Sequence, residues 1–225
     1  MASTSAPRVC FDRGIAVTRS LLGWGAVAGP FYLIVGLVLA LTRDGFDITR
    51  YPLSLLLLGR FGWIQALNLI LTGLMTIAAA VGFARAMRRL GGTSWAGGLV
   101  GGYGLCLVAS GLFPPDPMDG FPPGATAGEP TTTGVLHIAF GGVGFLLLAA
   151  AMLVVGRWWA RRGESRWAMR SRISAVVLVV GFLSGAVMPT LELGVLTLWI
   201  AVVVIWVWLA SASVHLYRTV PHPDA

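Results

Sequence analysis

Three protonatable side chains could carry acid–base chemistry: Asp116, His137 and Glu192. Each lies next to an end of a long apolar segment, where a carboxyl group beside an imidazole can act as a general acid and base. Glu192 stands in a very short connection between two apolar segments, and an ionisable group held there is a functional hypothesis by default. Simpler roles stay open for all three residues. Asp116 would also suit a turn, and the other two would suit exposed positions at the membrane surface.

A second group of polar residues precedes or opens the second apolar segment and could bind a substrate. Its members are Asp47, Arg50, Tyr51, Ser54, Arg60 and Asn68. Together with the three protonatable residues, they predict an outward-facing pocket in which Arg50 or Arg60 anchors an anionic headgroup. Here too a simpler reading is open, in which Asn68 bonds to a neighbouring helix and Arg60 contacts lipid phosphate.

The sequence predicts neither a metal nor a cofactor. Asp116, His137 and Glu192 could be assembled into a metal site on paper, but no span carries a His-x-x-x-His or Glu-x-x-His spacing. His215 and His222 belong to the opposite end of the predicted bundle. A Gly-x-Ser-x-Gly elbow is also absent from the sequence, so Ser54 has only its position to recommend it as a nucleophile.

The composition is that of a polytopic membrane protein. Of the 225 residues, 56% are hydrophobic and 11% are charged, whereas a soluble domain carries roughly 25% charged residues. The net charge of +7 comes from arginines that lie beside membrane-length segments. We therefore predict contacts with membrane lipids and no nucleic-acid partner. The oligomeric state is not predicted.

Six segments approach the roughly 20 residues that a membrane-spanning helix needs. They are residues 21–42, 63–84, 95–113, 135–155, 173–190 and 195–214. These segments lack the alternation of a strand, and backbone polar groups in lipid must be satisfied within the segment, so we predict an all-α bundle of six transmembrane helices. The predicted domain is 21–217, with external loops 43–62 and 114–134, a cytoplasmic segment 1–20 and a cytoplasmic tail 218–225.

The arginines predict the orientation of this bundle. They cluster before the first span, after the second, between the fourth and fifth, and after the sixth. By the positive-inside bias, these ends face the cytoplasm of a protein in the cell membrane, with both termini inside. Cys10 and Cys106 would be separated by membrane depth, so no disulfide is predicted.

Both external loops have unusual sequences. The first contains Tyr51 to Ser54 followed by four leucines, a stretch too short to span, which would lie in the interface or dip into the bundle. The second holds six prolines and predicts an ordered cap or a flexible lid. A weak internal repeat is also visible, at an offset of about 71 to 73 positions. It relates helices 2 and 3 to helices 4 and 5, as a parallel repeat.

Several of these residues recur as an ordered set in one known family. The set consists of Tyr51-Pro52-Leu53-Ser54, Gly59, Gly62-Trp63, Asn68, Gly73, Gly111 to Asp116, and His137. In this set the chain resembles the bacterial six-helix membrane family known as domain of unknown function 998, from about residue 21 to 217. The resemblance implies the six-helix fold, and it implies that Ser54, Asp116 and His137 are the positions to test first. It implies no particular reaction.

Two functions from different classes fit these residues. In the first, the outer pocket binds an apolar or amphipathic small molecule, such as a lipid or isoprenoid, and performs acid–base chemistry on it. Asp116 and Glu192 would be acid or base and His137 would share the proton, in a cyclisation, isomerisation or hydrolysis. In the second, the protein is a non-catalytic module that binds lipid or scaffolds a partner, and its polar outer residues serve structure alone.

Overall fold

The protein is an all-α bundle, as predicted. The computed structural model describes residues 11–187 and 192–224, so Arg8, Cys10 and the predicted end of the fifth span at 188–190 lie outside the described part. The six long helices are α1 (Arg13–Thr42), α2 (Gly62–Arg89), α3 (Trp95–Leu112), α4 (Thr132–Arg161), α5 (Ser165–Val187) and α6 (Glu192–Thr219). All six are long and apolar enough to cross a membrane, and no strand occurs within the described residues.

Several helices extend beyond the apolar segments from which they were predicted. α1 begins at Arg13 because the carboxylate of Asp12 accepts a 3.0 Å hydrogen bond from the backbone N–H of Ile15 and caps the helix. α4 continues to Arg161. Hydropathy identifies the apolar stretch that can lie in lipid. The helix itself extends further, as far as its backbone N–H and C=O groups can form hydrogen bonds.

The helices form a closed ring. Each helix packs against the next one along the chain, and α6 returns to pack against α1. This last seam is tight: a Cβ atom built on Gly25 would lie 2.1 Å from the hydroxyl of Ser213, and one on Gly29 would lie 2.7 Å from the Cβ of Trp206. Only a residue without a side chain allows α1 and α6 to approach so closely.

The two ends of the ring differ in character. We call the end with the long loops, where α2, α4 and α6 begin, the cap end. We call the other end, where α2 and α4 finish and α3 and α5 begin, the arginine end. Twelve of the described arginines lie at this second end.

The two long loops pack together into one cap. Residues Leu53–Leu57 form a short 3₁₀ helix, η1, whose four leucines are buried against α1 and α2, so the apolar stretch does dip back into the bundle. Phe46, Tyr51 and Phe121 form an aromatic cluster with ring centroids 5.2 to 5.8 Å apart. The hydroxyl of Tyr51 donates a 3.0 Å hydrogen bond to the carbonyl of Asp119 and ties the first loop to the second. The internal repeat stays a prediction.

Candidate functional site at the cap end

Asp116 holds the start of α4. One carboxylate oxygen accepts a 2.5 Å hydrogen bond from the hydroxyl of Thr131, and the other accepts a 3.1 Å bond from the backbone N–H of the same residue. Thr131 is in turn the N-cap of α4, since its hydroxyl accepts a 3.1 Å bond from the N–H of Gly134. The negative charge of Asp116 thus lies where a helix N-terminus favours an anion.

Gly134 makes this arrangement possible. A Cβ atom at this position would lie 2.0 Å from a carboxylate oxygen of Asp116 and 2.3 Å from its carboxyl carbon. The absence of a side chain therefore lets the carboxylate rest against the first turn of the helix.

His137 joins α4 to the end of α3. Its Nδ1 lies 2.7 Å from the carbonyl oxygen of Phe113 and 3.1 Å from that of Ser110, and the residue is buried. Carbonyl oxygens only accept hydrogen bonds, so Nδ1 must carry a proton. When the ring is neutral, this leaves Nε2 as its basic nitrogen.

Glu192 lies apart from this pair. It is exposed and forms the first residue of α6, where its charge complements the helix dipole. α6 packs mainly on α5 and α1, whereas Asp116 and His137 bond to residues near the junction of α3 and α4. Within residues 11–187 and 192–224, no three His, Cys, Asp or Glu side chains lie close enough to share a metal ion.

Five of the six predicted substrate-binding residues lie in the first loop, and three of these five come before η1. Asp47 accepts a 2.7 Å hydrogen bond from the hydroxyl of Thr49 and a 2.9 Å bond from its N–H. These bonds, with the nearby charge of Arg50, lower the pKa of the Asp47 carboxyl group. Arg50 is exposed and its guanidinium lies 5.7 Å from the ring centroid of Tyr51, which is itself buried in the aromatic cluster.

The other three differ in their surroundings. Ser54 is half-buried in η1, and Arg60 is exposed with its guanidinium 5.3 Å from the ring centroid of Phe61. Asn68 is 2% exposed and faces the interior of the bundle. Its amide donates 3.1 Å hydrogen bonds to the carbonyl of Tyr32 on α1 and to the side chain of Gln65.

The sequence did not predict the role of Arg43, nor the groups that form hydrogen bonds with the predicted residues. Arg43 follows α1, and its guanidinium donates a hydrogen bond to the carbonyl of Leu58, closing the first loop. Partial burial lowers the pKa of this guanidinium. The sequence did hold one sign of this turn, the glycine at position 59. Gly59 follows Leu58 and has a φ of 73°, a backbone conformation that favours glycine.

A comparison with known protein families gives a match over most of the chain. The family model described as protein of unknown function (DUF998) matches residues 26–215, which is most of the chain. The chain belongs to the DUF998 family. The match reaches from α1 to the last turns of α6 and so includes every predicted site residue at the cap end. The chain matches none of the curated proteins and none of the solved structures with which it was compared.

Proposed function

We propose that this DUF998 protein is a non-catalytic membrane module that binds lipid, and that the polar residues of its cap end maintain the fold. The observation that supports this proposal is the bonding of Asp116 and His137. Both oxygens of the carboxylate are engaged by Thr131, and the imidazole is engaged by two backbone carbonyls. These hydrogen bonds join the end of α3 to the start of α4, which is a structural role.

A comparison of lipid extracts tests this proposal. Membranes containing the wild-type protein are compared by mass spectrometry with membranes containing Asp116→Asn, His137→Ala or Glu192→Gln variants at matched protein levels. A module without catalysis gives the same lipid species in every sample. A species that is present with the wild type and lost with these variants would reject the proposal in favour of an enzyme.

One observation favours a second function, acid–base chemistry on a lipid or isoprenoid. The carbonyls of Ser110 and Phe113 orient the His137 ring and fix the proton of its neutral form on Nδ1, as in many catalytic histidines. Asp116 and Glu192 would then be acid or base. The polar residues of the first loop would bind the headgroup, in a cyclisation, isomerisation or hydrolysis. In the extract comparison, this function predicts that the His137→Ala variant accumulates the substrate.

We further propose that the protein lies in the cell membrane with its arginine end and both termini in the cytoplasm. The distribution of the arginines supports this orientation. In a Cys10→Ser background, an impermeant maleimide applied to intact cells should label an exposed Thr49→Cys variant at the cap end and leave Thr93→Cys unlabelled. The reverse pattern would invert the orientation.

A further inference from the structure

A cleft of about 620 Å³ opens at the arginine end of the bundle. It lies between the turn that joins α2 to α3 and the last two turns of α4. The turn contributes one wall, residues 90–93, and α4 contributes the other. The residues of this second wall are Val154, Arg157, Trp158 and Arg161 of α4 and its C-cap, Arg162.

Three arginines line this cleft, and two of them have guanidinium groups that are open to a ligand. Arg157 and Arg161 are one helical turn apart, so they lie on the same side of α4. Both are exposed, and within the described part of the chain neither has a carboxylate oxygen within 4.0 Å. Two neighbouring guanidinium groups with this freedom can bind a phosphate group with charge-assisted, bidentate hydrogen bonds.

Arg162 has a different role, because it is already engaged. Its guanidinium lies 3.1 Å from the carboxylate of Glu164, donates a 3.2 Å hydrogen bond to the carbonyl of Leu90, and lies 4.9 Å from the ring centroid of Trp158. These contacts join the end of α4 to the end of α2. Arg162 therefore holds the two walls of the cleft together.

The cleft also has an apolar side. Leu90, Val154 and Trp158 contribute to its lining, and Trp158 is packed so closely against the turn that a Cβ atom on Gly92 would lie 2.7 Å from its indole nitrogen. Cationic groups beside an apolar wall match an amphiphile. Its charged headgroup can meet the arginines while its glycerol and first methylene groups contact Val154 and Trp158.

We propose that this cleft binds the phosphate headgroup of an anionic phospholipid, with Arg157 and Arg161 as the phosphate ligands. The inference rests on the proposed lipid-binding function and adds a lipid class and a site to it. Basic pockets between the ends of membrane helices suit such headgroups. The site lies at the opposite end of the bundle from Asp116 and His137.

Lipid retention tests the site. Delipidated protein is incubated with mixed micelles containing equal amounts of phosphatidylglycerol and phosphatidylcholine, and bound lipid is counted by native mass spectrometry. The wild type should retain phosphatidylglycerol in preference. The Arg157→Gln/Arg161→Gln double variant should weaken this preference roughly 30-fold, from about 1 kcal/mol for each arginine.

A matched control separates the cleft from the general charge of this end. The Arg88→Gln/Arg166→Gln variant removes the same charge from exposed positions that do not line the cleft, and it should keep the preference. Equal losses in both double variants would overturn the site. An absence of preference in the wild type would overturn it too.

A second arm distinguishes a lipid from a soluble phosphate compound. Millimolar inorganic phosphate should not displace phosphatidylglycerol from the wild type, because it cannot contact the apolar wall. Complete displacement would overturn the lipid assignment. A product in the lipid-extract comparison would instead refute the non-catalytic function, and that outcome leaves the retention result unaffected.

Discussion

Two groups of polar residues, one at the cap end and one at the arginine end, differ in their bonding. At the cap end, the side chains of Asp116, His137 and Tyr51 bond to neighbouring loop or helix groups. At the arginine end, Arg157 and Arg161 stand beside an open cleft without a carboxylate partner among the described residues. Bonds that are already made locally stabilise a fold, whereas charges that remain open can bind a ligand. The difference teaches that residue type alone does not identify a binding site.

The largest effect is expected from Gly62→Ala, which tests whether the cap end is tightly packed. A Cβ atom on Gly62 would lie 1.8 Å from the carbonyl oxygen of Leu57, so the clash involves backbone that holds η1 in the cap. We expect the free energy of unfolding to fall by about 3 kcal/mol, measured in detergent by tryptophan fluorescence. Gly98→Ala, at a position with open space around it, is the control. Equal stability of the two variants would mean that the cap is not tightly packed.

His137→Ala should have the next largest effect. It leaves the carbonyls of Ser110 and Phe113 without their donor near the α3–α4 junction, and we expect a loss of about 2 kcal/mol in unfolding free energy. His222→Ala, in the exposed tail, should not change stability. If the two histidine variants unfold alike, the proposed structural role of His137 is wrong.

Asp116 and Thr131 should behave as one unit. We expect Asp116→Asn and Thr131→Ala each to cost about 1 kcal/mol, because each removes part of the anchor at the start of α4. The double variant should cost less than the sum, with a coupling of about 0.5 kcal/mol or more in a double-mutant cycle. Strict additivity would show that the hydrogen bonds between them contribute nothing.

Asp47 should give a small, pH-dependent effect. Its bonds to Thr49 lower the pKa of the carboxyl group in the folded state below the ordinary value of 3.8. The carboxylate therefore stabilises the fold above pH 3.8, and this stabilisation disappears as the pH falls through the pKa of the folded state. Wild type and Asp47→Asn should therefore differ in unfolding temperature at pH 7, and the difference should shrink as the pH falls below 3.8 toward the lowered pKa of the folded state. A difference that grows on acidification would contradict this sign.

The smallest effect belongs to the arginine end. In detergent without anionic lipid, the Arg157→Gln/Arg161→Gln variant should unfold within about 0.5 kcal/mol of the wild type, as surface substitutions do. Added phosphatidylglycerol should then raise the unfolding temperature of the wild type more than that of the variant. A large loss of stability without lipid would show that these arginines belong to the fold and would remove the contrast between the two ends.

The sequence predicted the number and location of the helices better than their first and last residues. Hydropathy located all six, and the ends at Thr42 and Leu112 lie within one residue of the prediction because polar or proline-rich loops follow them. The start of α1 was predicted eight residues too late, at 21 instead of Arg13. The extra turns contain Arg13, Arg19 and Ser20, which lower the hydropathy of this stretch, and their cap at Asp12 depends on a backbone bond that hydropathy does not measure.

The sequence named the candidate residues and gave no information on their hydrogen bonds. A pocket shared by Asp116, His137 and Glu192 was predicted; in the structure, Asp116 and His137 each bond near the α3–α4 junction, and the pocket stays a prediction. Their partners were missed because most of them are backbone groups, such as the carbonyl of Phe113, which leave no mark in residue type. Their catalytic roles, with that of Glu192, stay predictions.

The contact between α6 and α1 has a consequence for biosynthesis. α1 is made before α6, so the glycine face of α1 leaves the ribosome well before Trp206 and Ser213, the residues against which it packs. Until α6 has been made, Gly25 and Gly29 therefore lack the residues against which they pack in the finished bundle. The docking of α6 on α1 is thus the step that closes the ring.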